Sequence, residues 1–220
     1  LKTPEQTTPV HNGPAVGIDV GLHHLLAQSD GEFVDPPRFL RTSLAKLRVA
    51  QRRMFRRKKG SHRRRKAVDQ VSRLHEHVTN QRRDFWHKTT HNLVNTYSLI
   101  ALEKLSLKFM TTNRHLALST HDAGLGLFRQ LLAYKAASAG TQVVGVNPAY
   151  TSQMCSGCGV IAEKSLKDRV HKCPSCGLTL DRDVNAAVNI LNLCDQTART
   201  GRSGLNVGGY AERALRSLPL

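Results

Sequence analysis

Apolar residues in this chain gather in short runs with recognisable periods. Ala15–Val20 is apolar except for Asp19 and is closed by Gly21, the pattern of a buried strand followed by a turn. His23–Ala27 and Glu32–Val34 flank Ser29-Asp30-Gly31, whose Asp-Gly pair is a strong hairpin signal, so three strands in antiparallel succession are predicted. Pro36 and Pro37 end that run. From Ser43 to about Tyr97 the apolar positions Leu44, Leu47, Met54, Val68, Val71, Leu74, Val78, Phe85 and Leu93 recur at helical spacing, and Gly60-Ser61 divides the stretch into two helices. Phe85 and Trp86 read as helix-packing residues rather than base-stacking platforms. Leu99–Leu102 is a second apolar run, ended by Glu103; Gly124–Ala139 is helical, with Gly140 as its stop, and Gln142–Val146 is a strand ended by Asn147-Pro148. Thr151–Gly177 forms a separate cysteine-bearing module, and Val184–Leu193 returns to a short helix. From Asp195 onward no periodicity persists, which predicts a tail; no internal repeat is visible.

Charge adds a partner to this outline. The 220 residues carry 33 Lys and Arg against 16 Asp and Glu, a formal net charge of +17 and a pI near 10.3. A hydrophobic fraction of 40% suffices for a core, so the excess charge belongs on the surface, where a polyanion would neutralise it. Nucleic acid is the default partner. A membrane surface or a heparin-like polyanion meets the same arithmetic but explains neither the cysteines nor the placed carboxylates. The length allows one domain, or one domain carrying a small module. No run approaches the roughly 18 apolar residues of a membrane span, and Leu1–Pro14 lacks the apolar stretch of a signal peptide, so a soluble, cytoplasmic protein is expected. Basic residues are densest in Arg48–Lys66, 11 in 19 residues, including Arg52, Arg53, Arg56, Arg57, Lys58, Lys59, Arg63, Arg64, Arg65 and Lys66. Self-repulsion at that density favours a phosphate backbone alongside, although a solvated face or a localisation signal reads the same way. Phosphate contacts would give affinity without base specificity.

Cys155-Ser-Gly-Cys158 and Cys173-Pro-Ser-Cys176 stand 14 residues apart, and a glycine follows each pair. Two such knuckles place four thiolates around a tetrahedral Zn²⁺, with no position left open, so the ion would be structural. Two disulfides are the alternative, disfavoured in a reducing compartment. Cys194 lacks a partner at ligand spacing and reads as a small buried apolar residue. His171 could contact nucleic acid but reads first as a loop histidine.

Asp19 interrupts an apolar strand, and burying an unpartnered carboxylate costs several kcal/mol. A core aspartate bonded to backbone amides would account for it alone. Glu103 at a second strand end and Asp183 at the start of the last helix can converge with it on one point of a single sheet. Convergent carboxylates repel unless a cation neutralises them, and hard oxygen donors point to Mg²⁺ or Mn²⁺. A pair of such ions activates water and stabilises a departing oxygen in phosphodiester hydrolysis. Asp181 competes for the third role; the Asn185-Ala186-Ala187 that follows favours Asp183, and spacing alone does not decide.

Gly17-Ile18-Asp19-Val20-Gly21, Leu102-Glu103-Lys104-Leu105, the paired Cys-x-x-Cys module and Asp181-Arg182-Asp183-Val184-Asn185-Ala186-Ala187 resemble the C-terminal half of the TnpB, or OrfB, family of RNA-guided nucleases encoded by insertion sequences, relatives of type V CRISPR effectors and Fanzor proteins. Asn113-Arg114-His115-Leu116, His121-Asp122-Ala123-Gly124 and Thr151-Ser152-Gln153-Met154-Cys155 strengthen the resemblance, which covers about 16–193. It implies an α/β chain with an RNase H-like (RuvC) mixed sheet, a long helical insertion and an inserted zinc ribbon. The implied layout is a first core part at 1–150 with the basic helical insertion at about 41–97, the ribbon at 151–177 as a module that binds the target nucleic acid, a last core part at 178–194 and a tail at 195–220. By motif position Asp19, Glu103 and Asp183 match the family's catalytic, metal-binding triad, and Arg169 matches a basic residue at the scissile phosphate. The implied activity is cutting of target DNA chosen by a guide RNA from the element's own end, beside a short flanking motif, with no membrane and no small-molecule substrate. Lys104 stands where the family often has a second acid. Family members commonly carry a large N-terminal part that holds the guide, whereas 18 residues precede Asp19 and the chain opens on Leu1, so a fragment, a truncated gene or a pseudogene-like remnant is expected. The alternatives are a nucleic-acid-binding remnant without independent cleavage and a basic RNA-binding protein with a ribosomal type of zinc ribbon. The latter leaves the three acids unexplained.

Overall fold

Val16 and Ile18, fully buried, and Val20 anchor β1 (Ala15–Val20) at the centre of a five-stranded sheet in the computed structural model, which describes residues 12–104, 106–147, 149–165 and 168–199. β1 pairs antiparallel with β2 (Leu26–Gln28), and β2 with β3 (Phe33–Val34). On its other edge β1 runs parallel to β4 (Leu99–Glu103), which runs parallel to β5 (Gln142–Val146), giving the order β3-β2-β1-β4-β5. The sheet is therefore mixed. β2 starts later than the apolar pattern predicts, because residues 22–25 bend and the Gly21 amide donates to the Leu25 carbonyl at 3.2 Å. The Asp30-Gly31 turn forms as expected, with Gly31 at φ 94° and the Gln28 amide donating to Glu32.

α6 (Arg182–Arg199) lies on this sheet and completes its core. Ala101 and Val146 of the strands pack with Ile190 and Cys194 of the helix, flanked by Leu99, Val144 and Leu193. Cys194 is thus the small buried residue that its lack of a ligand partner suggested. A Cβ on Gly17 would stand 2.0 Å from the Ala187 carbonyl oxygen and 2.8 Å from the Leu191 nitrogen, so β1 and α6 meet backbone to backbone. The helix continues through Asp195 to Arg199, into the stretch read as tail, because Cys194 and the residues before it bury an apolar face that the local composition conceals. Residues 200–220 lie outside the described ones.

A second, two-stranded antiparallel sheet consists of β6 (Val170–Lys172) and β7 (Thr179–Asp181), with an isolated bridge from Met154 to Ile161 beside it. The loop assignment of His171 is corrected: it sits in β6, fully buried, with neither ring nitrogen hydrogen-bonded. Its two-residue period with exposed Val170 and Lys172 turns it inward, away from any nucleic acid.

The chain divides into two compact units, one comprising 1–36, 90–106 and 129–220 and the other 37–89 and 107–128. The second is helical. Its α1 (Phe39–Phe55) starts before the predicted Ser43 because the buried Asp122 carboxylate accepts the Leu40 and Arg41 amides at 2.8 and 3.1 Å, a cap supplied from far along the chain. α2 (His62–Thr96) is opened by Ser61, whose hydroxyl accepts the Arg64 amide. α3 (Leu107–Thr112) and α4 (Ala117–Ala123), which periodicity did not reveal, lead through Gly124 at φ 65° into α5 (Leu125–Ala139). The Trp86 indole donates to the Ala123 carbonyl at 2.7 Å and its ring packs on Phe128, while Phe85 contacts Trp86 and Phe39. Both aromatics pack helices. Among the described residues no helix is long and apolar enough to cross a membrane.

Candidate functional site

Parallel pairing carries two acids to the same end of the sheet. Ile18 of β1 is in register with Leu102 of β4, so Asp19 and Glu103, one residue on in each strand, emerge side by side. Asp183 stands in the first turn of α6, whose contact with β1 brings the helix start to the same strand end. The electrostatics register this meeting: Asp19 is raised from 3.8 to about 7, first by burial and then by the negative charges of Glu103 and Asp183. The Val20 amide and Arg182 pull downward without offsetting the rise. Glu103 is also raised by burial, opposed by a hydrogen bond that its Oε1 accepts from the Thr151 hydroxyl. Asp19 and Glu103, partly buried at one strand end, and Asp183, whose charge reaches Asp19, are hard oxygen donors of the kind that hold a divalent cation.

Asp181 does different work. Its Oδ1 accepts the Asp183 and Val184 amides at 2.8 and 3.3 Å, capping α6, while the Asp183 carboxylate is the one that reaches Asp19 electrostatically. Two further residues touch or influence these acids without standing out in the sequence. Thr151 orients Glu103 across 48 positions, and its only sequence signal was membership in Thr151-Ser152-Gln153-Met154-Cys155. Arg182, between two acids, places a positive charge near Asp19 and hydrogen-bonds the carbonyls of Ser165 and, from its backbone, Arg169. Arg169 itself is exposed.

The four cysteines Cys155, Cys158, Cys173 and Cys176 meet, all four sulfurs within 4.8 Å of one another. Cys155 Sγ lies 3.7 Å from Cys176 Sγ and Cys158 Sγ 3.5 Å from Cys173 Sγ, close to the roughly 3.8 Å edge of a tetrahedron with Zn–S bonds of about 2.3 Å. Each knuckle closes identically: the Gly159 and Gly177 amides donate to the Cys155 and Cys173 carbonyls, with φ of 76° and 74°. The Cys176 and Ser175 amides lower the pKa of the Cys173 thiol, favouring the thiolate a metal requires. Donor type, number and spacing fit a structural zinc ion. The module is clamped to α6 by Asn185, which accepts the Ser156 amide and donates to the Met154 carbonyl, and by Asn189, which donates to the Thr151 and Met154 carbonyls. Buried Asn185 and Asn189 thereby join the cluster to the helix that carries Asp183.

Of the predicted phosphate-binding residues, Arg52, Arg53, Arg56, Arg57, Lys58, Lys59, Arg63, Arg65 and Lys66 are exposed around the turn joining α1 and α2. Arg64 differs. Half-buried, it donates through Nη1 to the Met54 and Arg57 carbonyls and so closes the C-terminus of α1.

Comparison with known proteins agrees with the motifs. The family model OrfB_IS605, described as "Probable transposase", matches residues 1–114, and that of the Cas12f1-like TNB domain matches 126–190. A "Putative RNA-guided DNA endonuclease" of Streptomyces pristinaespiralis is 36% identical over 220 residues, covering 93% of this chain and 54% of the relative. The Escherichia coli K12 protein "Putative RNA-guided DNA endonuclease InsQ" is 34% identical, covering 90% of this chain and 55% of the relative. The chain spans about half the length of these relatives. In fold it is similar to the Cas12f1 chain of a Cas12f1–sgRNA–target DNA complex, with a TM-score of 0.56 at 18% identity over 87% of this chain and 51% of that one.

Proposed function

Because this chain belongs to the TnpB/OrfB family, we propose that it is the catalytic part of a transposon-associated, RNA-guided DNA endonuclease, built on an RNase H-like (RuvC) core with a zinc ribbon. The observation that carries this reading is the register that brings Asp19 and Glu103 to one strand end, where burial first and then the charges of Glu103 and Asp183 raise Asp19 to about 7. Asp19, Glu103 and Asp183 hold Mg²⁺ or Mn²⁺, and the ions, when bound, supply an activated water and stabilise the departing oxygen of the phosphodiester. Thr151 keeps the Glu103 carboxylate aimed by donating to one oxygen, and Asp181 fixes the first turn of α6 so that Asp183 cannot swing away. Arg169 and Arg182 offer positive charge to the scissile phosphate, and the exposed basic residues around the α1–α2 turn hold nucleic acid by its backbone. Zn²⁺ on the four cysteines keeps the ribbon folded against α6. The target DNA and a guide RNA are the partners.

The test is cleavage of single-stranded DNA with Mg²⁺ or Mn²⁺, by the chain alone and joined to the part of the Streptomyces relative it does not cover, with that relative's guide. Asp19→Asn, Glu103→Gln and Asp183→Asn are expected to lower cutting by at least a hundredfold while DNA binding persists, because the amide keeps shape and removes charge. Guided binding without cutting by the joined protein would overturn the nuclease reading in favour of a binding module.

A further inference from the structure

His23 and His24 follow β1 in the bend before β2, and the three acids do not account for them. A ring nitrogen of each and a carboxylate oxygen of Asp183 all lie within 4.8 Å of one another. The His23 and His24 rings meet edge to face at 4.4 Å, and His24 leans on Phe33, which limits its freedom. A second observation concerns what stands behind His24: its Nδ1 is 2.6 Å from Asp35 Oδ1. A carboxylate on one imidazole nitrogen fixes the ring and leaves the other nitrogen as the one free to bind an ion, as the carboxylates behind metal-binding histidines do. His23 is exposed, and His24 and Asp183 are half-buried, so an ion can enter from solvent.

We propose that His23, His24 and Asp183 form a divalent transition-metal site beside the carboxylate cluster. Two imidazoles and one carboxylate are a borderline donor set that favours Zn²⁺ or Co²⁺ over Mg²⁺, and three protein ligands leave a coordination position open to water or a phosphate oxygen. Neither the four-thiolate cluster nor the three acids has this character. Asp183 belongs to both donor sets. On the nuclease reading, an ion here therefore competes for Asp183 with the ions that Asp19 and Glu103 hold, and micromolar zinc slows cutting without displacing DNA.

The experiment uses the full chain with its cysteine cluster loaded with zinc, dialysed against Co²⁺, with bound cobalt measured by metal analysis and by its visible absorption. One Co²⁺ with the visible absorption of imidazole ligation is expected beyond the cysteine-bound zinc, in addition to any cobalt held by Asp19 and Glu103. His23→Ala and His24→Ala should each weaken it at least tenfold and Asp35→Asn about tenfold, while Asp19→Asn stays within twofold and zinc content is unchanged throughout. Equal cobalt affinity in the histidine variants, or loss of cobalt binding in Asp19→Asn alone, would overturn the proposal. Cobalt binding as expected in a joined protein that never cuts DNA would leave this site standing and remove only the nuclease reading.

Discussion

Asp19 concentrates the conflict that the fold imposes at the end of β1. Its carboxyl sits at about 7 when folded and near 3.8 when unfolded. Between those values the native state holds the extra proton, so stability is greatest below the lower value, falls as pH rises through the window and levels off above about 7. In zinc-loaded protein dialysed free of Mg²⁺ and Mn²⁺ the melting temperature should therefore drop by several degrees between pH 5 and 8. Asp19→Asn should flatten that slope, and added Mn²⁺ should restore wild-type stability at pH 8 while leaving the variant unmoved; thermal scans at several pH values decide it. Asp19 and Glu103 were visible in the sequence because each interrupts or ends an apolar run. The division of labour between Asp181 and Asp183 was not, since it turns on which carboxylate oxygen finds two backbone amides. Nor was the burial of His171, which depends on a two-stranded ladder too short to leave a period in the sequence.

Elements were legible where apolar residues repeat along one segment and illegible where partners come from elsewhere. β4 and β5 end at the predicted residues because each apolar run is continuous and is bounded by a polar or turn residue, Glu103 or Asn147. α3 and α4 mix Lys, Ser, Thr, His and Asp without a clear stripe and have few residues each; α4 is tied to other helices through Asp122, whose carboxylate caps α1 and whose carbonyl accepts from Arg82 at 2.9 Å. At Gly17, β1 and α6 meet backbone to backbone. Gly17→Ala would drive a methyl into the Ala187 carbonyl and the Leu191 backbone, neither of which can yield as a side chain would. It should cost about 3 kcal/mol, read as a lower urea midpoint. Gly31→Ala, which meets open space but keeps φ 94°, should cost about 1 kcal/mol.

For the molecule as a whole, a net charge of +17 makes affinity for polyanions general, and geometry decides which residues supply it. Arg56, Arg57, Arg63 and Arg65 changed together to Gln should reduce the slope of log K against log salt for single-stranded DNA by up to about 0.7 for each phosphate no longer neutralised, with the melting temperature nearly unchanged. Arg64→Gln should do the reverse, lowering thermal stability through the freed Met54 and Arg57 carbonyls while barely altering the slope. An equal slope in the fourfold variant would place that turn away from DNA. Sequence density alone made all ten basic residues look alike, and only the capping hydrogen bonds single out Arg64. The backbone contact of Gly17 with Ala187 has a last consequence, in time rather than space. A ribosome makes β1 before α6, so during synthesis the buried face of the sheet waits uncovered and Asp19 has no Asp183 beside it. A nascent or stalled chain therefore carries its basic helices before its three carboxylates are brought together.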